Sequence, residues 1–425
     1  MATKKRKRVE PPLYEIGVRG LQHFGGVLQE EYLPDLKGTR ARKVYREMAE
    51  TDPIIAALLF AIKQLIRSAN WSPEPASSSK DAREAADFLE SCLEDLKDPW
   101  TDFISESLSF LVYGFALFEI NYKIRQGPEA ESLWYKSQFE DGRIGWLSLA
   151  FRPQDTILKW EFNARGEPVG AIQRLARTYE EKKIPLEKAI LFRTESIKGN
   201  PEGRSILRAT YIPYYYKKRL QTIEAIGCER DLAGLPVIYG PLALWEDPSK
   251  QALKDEFLNV LSSLRRDEEE GVLMPRDPDH PDAYELKLLS ASGSRQFDIE
   301  KIITRYDRAI TQTVLADFIM LGSGDKGSWA LIREKKSIFM SALLGWLDSM
   351  KATFNSQAVA RLMALNGIRR EDWPTLTYSL PHIPEIEDVA KILEALTRGG
   401  AEVFPDRDLE RWLRGLVGAP APPEG

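Results

Sequence analysis

The chain has 425 residues, 43% hydrophobic and 29% charged, with a formal net charge of −5. Such a composition excludes a disordered chain, leaves room for two or three domains, and argues against a broad grip on nucleic acid, which requires a basic surface. No uncharged apolar run approaches the ~18 residues of a membrane helix, so no membrane association is expected.

Residues 1–40 begin with Lys4-Lys5-Arg6-Lys7-Arg8 and continue through Pro11, Pro12, Gly17, Gly20, Gly25 and Gly26. No apolar region follows the basic run, so it is not a secretory signal. A solvated basic tail is the plainer reading, with a nucleic-acid arm as the alternative. Helical pattern starts near Arg40. Asp52-Pro53 then opens a strong helix, with Asp as N-cap and Pro at the first position. Its inward side is Ile54, Ile55, Leu58, Leu59, Ile62, Leu65 and Ile66, and Trp71–Pro75 stops it. A third helix covers Ala82–Leu96, and Asp98-Pro99 starts a fourth that ends at Tyr113-Gly114.

From Phe115 the period moves toward two. Phe115–Tyr122, Trp134–Phe139, Gly145–Phe151, Ile157–Trp160 and Val169–Leu175 are expected as strands of one mixed antiparallel sheet, in an α+β domain ending near Glu195. Trp134, Trp146, Phe151 and Trp160 are read as sheet core, since no basic-aromatic pattern of an RNA-binding sheet accompanies them.

A long helix is expected over Ser205–Leu232, kinked or divided at Pro213. A strand around Val237, a helix opened by Asp247-Pro248, and strands at Gly271–Pro275 and Ala283–Leu289 follow. Residues 246–285 hold twelve acids against five bases, which reads as solvated surface in preference to a metal site. Two distant cysteines, Cys92 and Cys228, fit a reducing compartment and form no disulfide framework; His23, His280 and His382 give no zinc spacing. We therefore expect no catalytic residues, no metal and no cofactor.

The axis of the chain is Ser294–Ala360: helix, glycine-rich break, helix. Ile299, Ile302, Ile303, Tyr306, Ile310, Val314 and Phe318 recur at steps of three and four, with Arg305, Asp307, Arg308, Gln312 and Asp317 on the wetted side. Gly322-Ser323-Gly324-Asp325-Lys326-Gly327-Ser328 then interrupts, and a helix resumes from Trp329 to Met363. Gly322, Gly324 and Gly327 spell the dinucleotide fingerprint, but a helix precedes them where a strand is required. Lys326 precedes Gly327, so the run is not a P-loop either. A strand Thr375–Ser379, helices Ile386–Arg398 and Asp406–Leu416, and a Pro-rich tail close the chain.

One long helix, a small strand–helix–strand insertion, a second long helix, a polar loop and a third long helix follow in that order. The wording supports it: Asp52-Pro53-Ile54-Ile55 with Trp71-Ser72-Pro73, Leu111-Val112-Tyr113-Gly114-Phe115-Ala116 with Phe118-Glu119-Ile120, and Gly203-Arg204-Ser205-Ile206-Leu207-Arg208. Order and wording together resemble the Mu-like portal proteins of tailed bacteriophages. The resemblance implies a portal fold: a flexible N-terminal arm (1–40), an α+β wing (41–203), stem helices (204–233 and 293–318) around a small α/β clip (234–292), a tunnel loop (319–328), a long wing helix (329–374) and a helical crown with a loose tail (375–425).

The same resemblance implies a homododecameric ring at one capsid vertex of the virion, assembled in the host cytoplasm, through which double-stranded DNA is packaged and ejected. Expected partners are the terminase large subunit, a head–tail adaptor, and the major capsid and scaffolding proteins. The tunnel-loop residues Gly322, Ser323, Gly324, Asp325, Lys326, Gly327 and Ser328 would face the DNA. Glu246, Asp247, Arg265, Arg266, Asp267, Glu268, Glu269 and Glu270 in the clip would meet terminase or adaptor. A conduit must let DNA slide, and an acid-rich chain with one lysine in its loop suits that. The alternatives weighed are a minor head or adaptor protein and, further off, a metal-dependent nucleic-acid enzyme.

Overall fold

The computed structural model describes residues 17–233, 235–240, 243–263, 272–275, 285–289, 299–313 and 329–380, with side chains at 17–226, 237–240, 244–260, 299–313 and 338–380. The tunnel loop, Arg265–Glu270 and the two C-terminal helices lie outside the described residues.

A short hairpin, β1 (His23–Phe24) and β2 (Val27–Leu28), precedes α1 (Gly38–Thr51) and α2 (Pro53–Arg67). β3 (Asn70–Glu74), α3 (Lys80–Glu94), α4 (Trp100–Ser107) and α5 (Ser109–Tyr113) follow. Then come β4 (Phe115–Ile124), β5 (Ile144–Arg152), β6 (Ile157–Phe162), β7 (Pro168–Arg174), β8 (Glu181–Pro185) and β9 (Ala189–Arg193). The long helix is α6 (Tyr211–Ala233); β10 (Leu235–Gly240), α7 (Ala243–Glu246), α8 (Gln251–Ser263), β11 (Val272–Pro275) and β12 (Glu285–Leu289) come next. Helix α9 (Ile299–Thr313), α10 (Trp329–Phe354), a π-turn at Asn355–Val359, α11 (Ala360–Leu365) and β13 (Thr375–Ser379) complete the described chain.

The α+β class is as expected, but the strands build separate small sheets instead of one. β4 is the centre of β5-β4-β9, and β7 the centre of β6-β7-β8, all antiparallel. Phe115–Phe118 are buried without alternation because β4 is covered on both faces. Ala116, Phe118 and Ile120 enter a core with α2, α3 and α10, while Phe115 and Leu117 pack on Trp160, Ala171 and Ile184 of the neighbouring sheet. Within β10–β12, β10 pairs parallel with β11 and antiparallel with β12, the order a strand–helix–strand insertion requires.

Several expectations need correction. Trp134–Phe139 is not a strand: its backbone turns back to donate and accept within the β4–β5 connection. Trp134 is accordingly 57% exposed, whereas Trp146 and Trp160 are buried as expected. The segment after α2 does more than stop a helix, since Asn70–Glu74 forms β3 and pairs antiparallel with β13. Thr375–Ser379, expected to open the crown, is thereby tied to the body: Leu376 is fully buried in the core that holds α2 and α10. Helix α6 starts at Tyr211, not Ser205, and Pro213 sits in its first turn, where no backbone donor is needed; it neither kinks nor divides the helix. β8 and β9 were not foreseen.

Local rules explain the helix starts. The Ile54 and Ile55 N–H groups donate to Asp52 Oδ1 at 3.0 and 3.1 Å, with Pro53 beside them. Ser79 Oγ accepts from Ala82 N–H at 3.1 Å at the start of α3. The π-turn has a structural use. Asn355 bonds both the N–H (2.8 Å) and the C=O (2.9 Å) of Leu376, so its amide imitates a strand on the free edge of β13. Gln357 Oε1 accepts from Leu191 N–H at 2.8 Å, and Arg361 donates to Ala189 O at 2.6 Å, covering β9 likewise.

Candidate functional site

The two stem-like helices, α6 and α9, are packed together, and α9 also touches α2. Tyr216 and Tyr306 stack at 6.4 Å between ring centroids. Deeper in, Lys217 is the hub: its Nζ lies 2.8 Å from Asp52 Oδ2 and 2.6 Å from Asp307 Oδ1. The Lys217 and Asp52 side chains are only 4% and 3% exposed, so a lysine on α6 joins the cap of α2 to the middle of α9. Burial alone would lower the Lys217 pKa, but hydrogen bonds and charge from Asp307 and Asp52 outweigh it and hold it above the ordinary lysine value. Asp307 was expected on the wetted side of its helix. Only the facing lysine, remote in sequence, makes an inward carboxylate acceptable.

Further contacts fix the root of α6. Arg208 grips Glu31 with two hydrogen bonds, at 2.6 and 2.9 Å, and lies over the Tyr32 ring. Tyr211 OH donates to Asp35 Oδ2 at 2.7 Å; burial first, then that carboxylate, pushes the phenol up to about 12. Lys218 pairs with Glu47 on α1, and the hydrogen bond from Lys218 holds the Glu47 carboxyl below its usual range. Two of the segments singled out in the sequence meet here: Ile206 N–H donates to Leu111 O at 3.0 Å, and Ser205 Oγ donates to Val112 O.

A cleft of about 320 Å³ opens between α1 and this root, with Glu31, Arg42, Tyr45, Glu202 and Arg208 on its walls. Arg42, Glu202, Arg208 and Glu31 on its walls are matched to one another. Arg42 bonds Glu202 at 2.8 Å, Glu202 also accepts from Trp160 Nε1 at 3.1 Å, and Arg208 is held by Glu31. The cleft joins α1 to the root of α6. Among the described residues, no group of three His, Cys, Asp or Glu side chains is placed to hold a metal ion.

The outward face of α6 carries four exposed apolar side chains around the exposed Arg219. Ile212, Tyr215, Ile223 and Ile226 are 45%, 44%, 51% and 37% exposed, and their spacing sets them on the side away from Lys217. The described residues leave these four side chains exposed. Of the expected clip residues, Glu246 and Asp247 are described and exposed. Asp247 has a local task, accepting from Ser249 N–H and Oγ at 2.9 and 2.7 Å to cap the turn before α8. Arg265, Arg266, Asp267, Glu268, Glu269 and Glu270, and the loop Gly322–Ser328, fall outside the described residues.

These features define an α+β body with a strand–helix–strand insertion between two long, mutually packed helices. A family model described as the portal protein of Mu bacteriophage matches residues 42–414. The chain belongs to that family. No curated protein matches it. Among solved structures it is similar to chains from the neck of an empty gene transfer agent particle computed with C6 symmetry, the virion of a native particle, and the neck of a native particle computed with C12 symmetry. Each is 12% identical with a TM-score of 0.49, over 90% of this chain and 94–95% of the other.

Proposed function

We propose that this chain is the subunit of a phage portal: a ring of copies in the virion, at one capsid vertex, forming the conduit for DNA packaging and ejection. Membership of the portal family supports the role, and that family is structural and not enzymatic. The observation that carries the ring is the set Ile212, Tyr215, Ile223 and Ile226 on the long helix, exposed among the described residues. Such side chains, meeting a different surface of the next copy, give a head-to-tail contact, and a ring results where the rotation between copies closes. Loop residues Gly322–Ser328 then line the channel, and the acidic strand–helix–strand unit offers a docking surface for terminase and the head–tail adaptor. Assembly takes place in the host cytoplasm.

Light scattering and negative-stain microscopy test this directly. Twelve copies of 48.3 kDa make a ring of about 580 kDa. A protein that stays monomeric under every condition sinks the proposal. Deleting Gly322–Gly327 leaves the rings intact and impairs packaging or retention of DNA; normal packaging by that variant removes the loop from the channel.

A further inference from the structure

The connection between β4 and β5 is held rigidly. Arg125, 2% exposed, pairs with Asp141 at 3.1 Å, donates to Ser91 Oγ at 2.8 Å and lies over the Phe139 ring at 4.1 Å. Asp95 accepts from Ser137 Oγ and Gln138 N–H and pairs with buried Lys123 at 2.9 Å. Backbone bonds close the loop: Ile124 N–H to Trp134 O at 2.9 Å, and Gln126 N–H to Tyr135 O at 3.0 Å. Yet this fixed frame carries Leu133, Trp134 and Tyr135 into solvent at 64%, 57% and 40% exposure. Three consecutive large apolar side chains on a rigid tip are costly to leave wet, and Trp and Tyr are the side chains that anchor contacts.

The rim of the tip selects the occupant. Glu129, Glu131 and Glu140 are exposed and make no ion pair with any described residue, against two exposed bases, Lys136 and Arg143, the second of which is held over the Phe88 ring. Aromatic faces ringed by carboxylates attract ammonium and guanidinium groups through both the ring quadrupole and charge. The chain carries one run of five consecutive bases, Lys4-Lys5-Arg6-Lys7-Arg8. We infer that the Leu133–Tyr135 tip is the docking point for this N-terminal basic arm, within one copy or between neighbours.

Reach permits it. Arg19 lies against Gly199, and Lys198 pairs with Glu30 at 2.9 Å, so the arm leaves the body near the Phe115 end of β4, where Phe115 pairs with Arg193. The tip is one strand length away, about 33 Å for ten residues, and the thirteen residues from Gly17 back to Lys4 extend to about 43 Å, which brings the first bases of the run within reach. The inference is independent of the portal reading.

Limited trypsin digestion of the full chain, followed by intact mass, reports the arm through cleavage at Lys4–Arg8. Docking protects it. Trp134→Ala and the pair Glu129→Gln/Glu131→Gln, all at exposed positions, should each raise the cleavage rate about tenfold, as should roughly 0.5 M salt on the wild type. Carbodiimide should join Lys4, Lys5 or Lys7 to Glu129 or Glu131, and mixing isotope-labelled with unlabelled copies tells one copy from two. Equal cleavage rates in all proteins, or cross-links only to other acids, overturn the inference.

Discussion

Gly114 and Gly203 lie backbone against backbone. A Cβ on Gly114 would fall 2.4 Å from Glu202 O, and one on Gly203 would fall 2.4 Å from Gly114 O; both have positive φ, +91° and +57°. This is where the strand-bearing body hands the chain to α6, and nothing larger than hydrogen fits on either side. Gly114→Ala and Gly203→Ala should each destabilise by about 1–3 kcal/mol or more. Because both relieve or strain one contact, the double variant should cost less than the sum. Gly142, with φ +67° and open space around it, is the control; its alanine variant should cost about 1 kcal/mol. Denaturant midpoints decide the matter, and equal losses at all three sites would reduce the contact to a φ effect.

Replacing Lys217 with Met leaves the Asp52 and Asp307 carboxylates facing each other with no buried cation. We expect a loss of about 3–5 kcal/mol, read by urea unfolding. The folded pKa of Lys217 is raised, so its contribution is complete below the unfolded lysine value of about 10.4 and is lost as pH rises through the higher folded value. As pH rises above about 10.4, the wild-type Tm should therefore fall more steeply than that of Lys217→Met. Parallel curves would show that the ion pairs carry no stability.

Asn355→Ala strips the partner from both backbone groups of Leu376, a residue with no exposure at all. An unsatisfied buried donor and acceptor cost about 1–3 kcal/mol each. Hydrogen exchange at Leu376 N–H should accelerate in step with the lost stability. If exchange is unchanged, the π-turn is incidental to the β13 edge.

Ile212→Asp and Ile223→Asp place a charge among the exposed apolar side chains of α6. Each should reduce assembly, seen by light scattering, while the far-UV spectrum of the released subunit stays that of the wild type. Unaltered assembly by both would move the copy-to-copy contact elsewhere.

Much of the architecture was legible because its signals are local. Asp52-Pro53 marks a helix start whatever surrounds it, and the 3.6-residue stripe of α9 is visible without a partner. What escaped depends on distant chain. Glu181–Pro185 carries three charges in five residues and reads as loop until β7 is beside it. Lys217 sits among tyrosines and bases and reads as surface, because nothing near it in sequence announces Asp52 or Asp307. Trp134 misled for the opposite reason: tryptophan is assumed inward, and only the closed hydrogen bonding of its loop reveals that it points out.

Helix α10 and β13 complete the core begun by α2, with Phe339, Leu343, Leu347, Met350 and Leu376 closing over Leu58, Ile62 and Ile66. During translation the early helices must therefore wait for partners about 300 residues downstream, and closure is slow for such distant contacts. A nascent chain cannot offer a finished subunit to its neighbours until nearly all of it has left the ribosome.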